Sequence, residues 1–299
     1  MNRRQWLKTS GSALASLAAW PLRRTWAAAR KPRVLYFTRS AGFEHPVVRR
    51  PESGLSHSER VLTEMGRRAG FEVVCTKDGR VFDEDLDRFD LIAFYTSGDL
   101  TRPNTRKNPP MTADGKRRLL EALHAGKGFV GFHAASDTFH SPGPRDQVQP
   151  PGERDPYIAM LGGEFLTHGA QQEASLIIAS RFPGAGSLGC AEGISFTEEW
   201  YALKNFAPDL HVVLVQETQL MQGDCYRRPD YPCTWARMHG QGRVFYTSLG
   251  HREDVWTNPF FQTIVLGGLN WALGNVDYDI HPNLDRVAPE ANQLRRAAT

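Results

Sequence analysis

Several of the histidines in this chain stand where a sequence of this kind places chemistry, directly after short apolar runs. The most telling is His133, within Gly128-Phe-Val-Gly-Phe-His-Ala-Ala-Ser-Asp137. Phe129 to Phe132 reads as a strand buried on both faces, and the small residues after it open a helical turn, so His133 is expected at a tight strand-to-helix bend. Such bends at the carboxyl ends of strands are where α/β sheets bind ligands. No Gly-x-Ser-x-Gly or Gly-x-Cys-x-Gly phrase is present. An imidazole at the apex suits proton transfer or metal ligation better than acyl-enzyme chemistry.

Three further histidines repeat the placement: His45 after Gly42-Phe43-Glu44, His168 closing Gly162-Gly-Glu-Phe-Leu-Thr-His168, and His251 after Gly250. Imidazoles from separate strand ends can meet around a divalent cation such as zinc, with His45, His133, His168 and His251 as candidate ligands and Asp137 beside them. Their wide spacing is not itself a metal signature. Phe196-Thr-Glu-Glu-Trp-Tyr201 adds carboxylates, of which Glu199 is the candidate acid or substrate anchor, followed by Trp200 and Tyr201. Those rings, with Trp235 and Trp256, suit the C–H faces of a sugar, although core packing is the commoner fate of such aromatics. Ser97 and Gly98, in a small-residue turn, are expected to turn backbone amides toward the same cleft.

The elements needed to position these groups alternate along the chain. Arg33–Thr38, Phe71–Thr76, Leu91–Tyr95 and Phe129–Phe132 read as strands, and helical spacing lies between them at Leu55–Ala69 and Thr112–Ala125. The order predicts an α/β fold with a flavodoxin-like, doubly wound, mostly parallel sheet. Ser141–Asp155, dense in Pro, Gly and charge, reads as a loop or flap. Leu176–Ala179, His211–Gln216 and Arg243–Leu249 are strand-like, and Asn258-Pro259 opens a last helix in which Gly267 and Gly268 permit close packing.

Composition narrows the partners. Residues 1–29, with Arg3-Arg4, a mildly apolar run and Ala27-Ala28-Ala29, have the form of a twin-arginine export signal, which points to a periplasmic or exported protein. That segment carries five basic residues and no acidic one, so its removal takes the formal charge from +3 to −2. No basic stripe interleaved with aromatics remains, which argues against nucleic acid, and no run approaches a membrane span. Residues 30–274 form one α/β domain, and residues 275–299 a polar tail that wraps the surface or frays. The cysteines are too scattered for a disulfide framework, although Cys225 and Cys233 could close a short loop in an oxidising compartment. Assembly with further copies of itself stays open.

The phrases Gly128–Asp137, Gly162–His168 and Trp235-Ala-Arg-Met-His-Gly-Gln-Gly-Arg-Val-Phe-Tyr-Thr-Ser-Leu-Gly-His251 together resemble the trehalose-utilisation (ThuA-like) family. Gly42-Phe-Glu-His45 and Glu198-Glu-Trp-Tyr201 match its further phrases in order, and the resemblance spans roughly 33–274. It implies a class I glutamine amidotransferase-like fold in which histidine replaces the elbow nucleophile, and carbohydrate catabolism, including cleavage of glycosides oxidised to a 3-keto form by a partner sugar dehydrogenase. Glu198 departs from the Asp common in the family. For a 3-keto sugar, His133 or His168 is the expected base, Glu199 the acid or anchor, and Arg237 or a metal the enolate stabiliser. The rival readings are a non-catalytic carbohydrate-binding protein on the same fold and a hydrolase using Ser97 or Ser136.

Overall fold

A computed structural model describes residues 30–186 and 194–295. The export-signal segment and Cys190 therefore lie outside the described residues.

The chain opens with β1 (Arg33–Phe37), α1 (His57–Ala69), β2 (Glu72–Thr76), β3 (Leu91–Phe94), α2 (Ala113–His124) and β4 (Gly128–Phe132). Side chains of β1 alternate between two cores: Val34 and Tyr36 pack on one face of the sheet, Leu35 and Phe37 on the other, as a fully covered parallel strand requires. Helix α1 starts where Ser56 accepts from Glu59 N and Glu59 answers to Ser56 N, a capping box, and stops at Gly70 with φ +87°.

Next come α3 (Pro156–Leu161), β5 (Glu164–His168), β6 (Gln172–Ile178), β7 (Ile194–Glu198), β8 (Tyr201–Lys204), β9 (His211–Gln216), β10 (Tyr231–His239) and β11 (Gly242–Thr247). Helices α4 (Glu253–Thr257), α5 (Pro259–Ala272) and α6 (Leu284–Val287) complete the fold. Nine strands form one sheet in the order β2-β1-β3-β4-β11-β10-β9-β6-β7, while β5 and β8 pair separately. The first five are mutually parallel, in the doubly wound order expected from the sequence, and β10, β9, β6 and β7 continue as an antiparallel arm. Among the described residues, no helix is long and apolar enough to cross a membrane.

Two glycines behave as the sequence suggests. A Cβ on Gly268 would sit 2.5 Å from the Phe245 ring, and one on Gly267 would run into the Pro183 carbonyl, so α5 can lie this close only without side chains there. The polar tail does not fray within the described residues. Leu284, Ala288 and Ala291 are buried, and Asn283 donates to Val212 O and accepts from Val212 N. Cys225 and Cys233 are free thiols, contrary to the suggested loop closure. Cys233 is buried in β10, where its thiol donates to Leu214 O, and Cys225 sits in a short helical turn.

Candidate functional site

Strands β1, β3, β4 and β11 run parallel, so the residues just beyond their last pairs gather at one end of the sheet. His133 follows β4 directly and adopts φ +38°, a left-handed conformation that costs a non-glycine residue about 1–3 kcal/mol. Small neighbours two positions away permit it: a Cβ on Gly131 would meet Ala135 Cβ at 3.2 Å and Tyr246 at 3.0 Å. Its Nδ1 lies 2.7 Å from Ser248 O, which fixes the proton on Nδ1 and turns the Nε2 lone pair inward.

His45, His251 and Glu199 close around that lone pair, and the four ligand atoms lie within 4.8 Å of one another. Glu199 Oε2 is 3.4 Å from His133 Nε2, 3.0 Å from His251 Nδ1 and 3.9 Å from His45 Nε2. It comes from the link between β7 and β8, in the part of the chain that builds the arm and hairpin rather than the parallel half. His168, at the end of β5 and 43% exposed, places Nδ1 3.5 Å from Glu199 Oε1 and 2.9 Å from Gly169 O.

A scaffold holds these groups. Glu198 Oε2 accepts from Gly250 N and His251 N while its Oε1 accepts from Glu199 N, so one buried carboxylate ties both loops. Tyr95 and Trp256 donate to Gly250 O beneath His251. Gln171 bridges His251 Nε2 and Arg252. Tyr201 lies under the cluster, its ring 4.0 Å from that of His133 and its hydroxyl 3.2 Å from His45 Nε2. Ser97 Oγ donates to Phe43 O, and Gly98 N to Asp137 O, which lashes the loops bearing His45 and Asp137 to the turn after β3. A Cβ on Gly98 would fall 2.5 Å from Gly42 N.

Electrostatics separate the groups. Burial pushes the His133 imidazolium down to about 3, with the facing imidazoles adding to the fall and Glu199 opposing it. Burial likewise lowers His45. Burial alone would raise Glu199, but the imidazoles facing it hold the carboxylate well below its ordinary range. Burial raises Glu198 to about 7 against three backbone amides that pull it down. The buried His45 and His133 imidazoles are thus held neutral beside a carboxylate anion. His133 Nε2 and His251 Nδ1 are buried without a hydrogen-bond partner among the described residues, although the Glu199 oxygen is near both. Imidazole nitrogens with an anionic oxygen are the donor set of zinc and its neighbours, and the His133 proton held by Ser248 O is the usual support for it. The residues present fit a divalent metal.

The structure brings His45, His133, His251, Glu199, Tyr201 and His168 together, with Asp137 at the edge. Other sequence candidates lie elsewhere. Arg237 pairs with Val244, which pairs with Phe129 at the opposite end of β4, roughly 13 Å of strand from His133. There its guanidinium caps α3 carbonyls and reaches Asp209. Trp200 and Trp235 are fully buried, their indoles donating to Gln172 O and Leu161 O, so neither presents a face to a ligand. Ser97 and Gly98 position loops. Ser136 is buried, its Oγ donating to the His133 backbone carbonyl and paired with the Tyr246 hydroxyl, and it bonds no imidazole among the described residues. The scaffold roles of Glu198, Tyr95 and Gln171 were not visible in the sequence. Glu198 had one signal, its place immediately before Glu199 after an alternating strand.

The architecture is an α/β sheet with a histidine elbow and a three-imidazole, one-carboxylate centre at the carboxyl ends of its parallel strands. The sequence profile described as trehalose utilisation (ThuA) matches residues 33–272, and the chain belongs to that family. The family association places it in carbohydrate metabolism. No curated protein matches the chain. Among solved structures, a ThuA-like protein from Parabacteroides merdae is similar with a TM-score of 0.55 and 18% identity, over 84% of this chain and 93% of that one. Another, from Bacteroides uniformis, gives 0.55 and 16% over 88% and 99%. At these identities the likeness concerns the fold.

Proposed function

We propose that this protein is a carbohydrate-catabolic enzyme that cleaves a 3-keto-glycoside with imidazole and carboxylate chemistry, assisted by a divalent cation held by His45, His133, His251 and Glu199. The observation that carries the reading is the convergence of three imidazole nitrogens on one carboxylate, two of them, His133 Nε2 and His251 Nδ1, buried and without a hydrogen-bond partner among the described residues. Bound there, a divalent ion supplies Lewis acidity toward a ketone or enolate oxygen, the role for which Arg237 is too remote.

His133 and His45 are poor bases, because burial strips them of affinity for a proton. His168 is the base in this reading: exposed, with Nδ1 directed at Gly169 O and beside Glu199. It takes the C2 proton that the neighbouring ketone acidifies. The C1–O bond then breaks, its electron pair leaves with the aglycone oxygen, and that oxygen gains a proton. Water adding across the resulting C1–C2 double bond, proton to C2 and hydroxyl to C1, completes a net hydrolysis. Phe43, 64% exposed with its ring edge against His45, is the aromatic positioned to meet a sugar face. The oxidised substrate would come from a partner sugar dehydrogenase, and the twin-arginine-like start supports a periplasmic reaction, which fractionation of the tagged full chain would test.

The test is to incubate the protein with 3-keto and unoxidised glycosides, with and without chelator, beside His133→Ala and His168→Gln. Release from the keto form alone, lost on chelation and restored by one ion, is the expected result. Binding of either sugar without turnover would replace the enzyme reading with that of a carbohydrate-binding protein.

A further inference from the structure

Beside the four-residue centre lies a second charged assembly built on His140. Its Nε2 is 2.8 Å from Asp137 Oδ1 and its Nδ1 3.2 Å from Glu164 Oε1, so each ring nitrogen faces a carboxylate. Glu164 is fully buried and further held by Ser141 N and by Asn205 Nδ2 at 2.7 Å. Asn205 in turn binds Gln149, to which Lys204 donates, so the carboxylate is anchored to both the hairpin and the 141–155 flap. Asp137 ends the turn that His133 begins, and Gly98 N clamps its backbone carbonyl. Its charge reaches the centre, opposing the fall of the His45 pKa and raising that of Tyr201. Oδ2 takes no hydrogen bond from the described residues.

Resting on the carbohydrate reading above, we infer that His140, clamped between Asp137 and Glu164, is a positioning residue that fixes the Asp137 carboxylate as an acceptor for a hydroxyl of the sugar bound at the neighbouring centre. An imidazole with carboxylate oxygens against both nitrogens is favoured in its doubly protonated form. Burial lowers its pKa, but the two carboxylates outweigh burial and leave it raised. Arg145, from the flap, is the charge that opposes them, and Lys204 and Arg154 act on Glu164 from behind. With one Asp137 oxygen committed to the cation, the other is presented in a set direction. A carboxylate in that state favours a hydroxyl donor, the group a pyranose offers most of.

The test follows imidazole nitrogen signals by NMR in the histidine-labelled chain, wild-type and with Glu164→Gln, Asp137→Asn or His140→Gln. Methyl α-D-glucopyranoside and trehalose at high concentration serve as probes. His140 is expected to titrate above the ordinary 6.5 and to fall in the first two variants. Both sugars should shift His140 and His168, with Asp137→Asn weakening binding about tenfold or more, the scale of a hydrogen bond to a charged group, and His140→Gln less. A His140 midpoint at or below 6.5 overturns the clamp. Sugar binding that moves His168 and is untouched by Asp137→Asn overturns the anchor alone. Sugars that move neither imidazole overturn the carbohydrate reading and the anchor with it, while the titration still reports on the clamp.

Discussion

Acid should destabilise the metal-free protein through His133, and the size of the effect follows from its burial. In the unfolded chain the imidazole titrates near 6.5, whereas in the fold it is held down to about 3. A folded pKa depressed in this way means that the unfolded state takes up a proton as pH falls through 6.5 and the native state does not, so stability is lost on acidification. Between pH 7.5 and 5.5 the unfolded state gains RT ln 10, about 1.4 kcal/mol, from this one group. His45 shifts in the same direction, and raised His140 in the other. The isolating variant is His133→Asn, because Asn tolerates positive φ best after glycine and its amide can still donate to Ser248 O. Urea unfolding with chelator present, at both pH values, should show the wild-type midpoint falling about 0.5 M more than that of the variant. Equal falls in the two proteins would refute the assignment of a buried, neutral His133.

Three other outcomes follow. Glu199→Gln removes the carboxylate of the four-residue centre and should weaken divalent-ion binding at least about hundredfold, measured by equilibrium dialysis with metal analysis, since even outer partners of metal ligands are worth ten- to hundredfold. Phe43→Ala should raise KM for the keto sugar roughly three- to tenfold with little change in kcat, the scale of one aromatic contact. Arg237→Lys should lower Tm through lost α3 capping and the Asp209 pair, while kcat/KM stays at the wild-type value.

The parallel half of the fold was legible because local signals agree there. β1, β3 and β4 are apolar runs bounded by turn residues, α1 has its capping box and α2 its Thr112 cap, and the elements alternate. The histidines at strand ends were legible for the same reason, since parallel strands deliver their ends to one edge. The β5–β8 hairpin was not. Phe165 pairs with Leu203 and His168 with Tyr201 across more than thirty residues, and no local pattern encodes such pairing. That hairpin brings His168 to Glu199. Trp200 and Trp235 misled because an indole that packs in a core and one that stacks on sugar look alike in sequence. Arg237 lies on an antiparallel strand, and only the register shows which end of the sheet it faces.

The stretch beyond residue 272 alters how the chain can be cut. The family profile ends there, yet the buried Arg228 guanidinium spans from Leu203 O to Ala291 O, and Asn292 accepts from Phe206 N and donates to Phe206 O. A recombinant fragment trimmed to the profile would leave a cation in the interior short of a carbonyl and bare the underside of β9, where Leu284 now sits. Boundaries for expression are better drawn from the last packed side chain than from the last recognisable phrase.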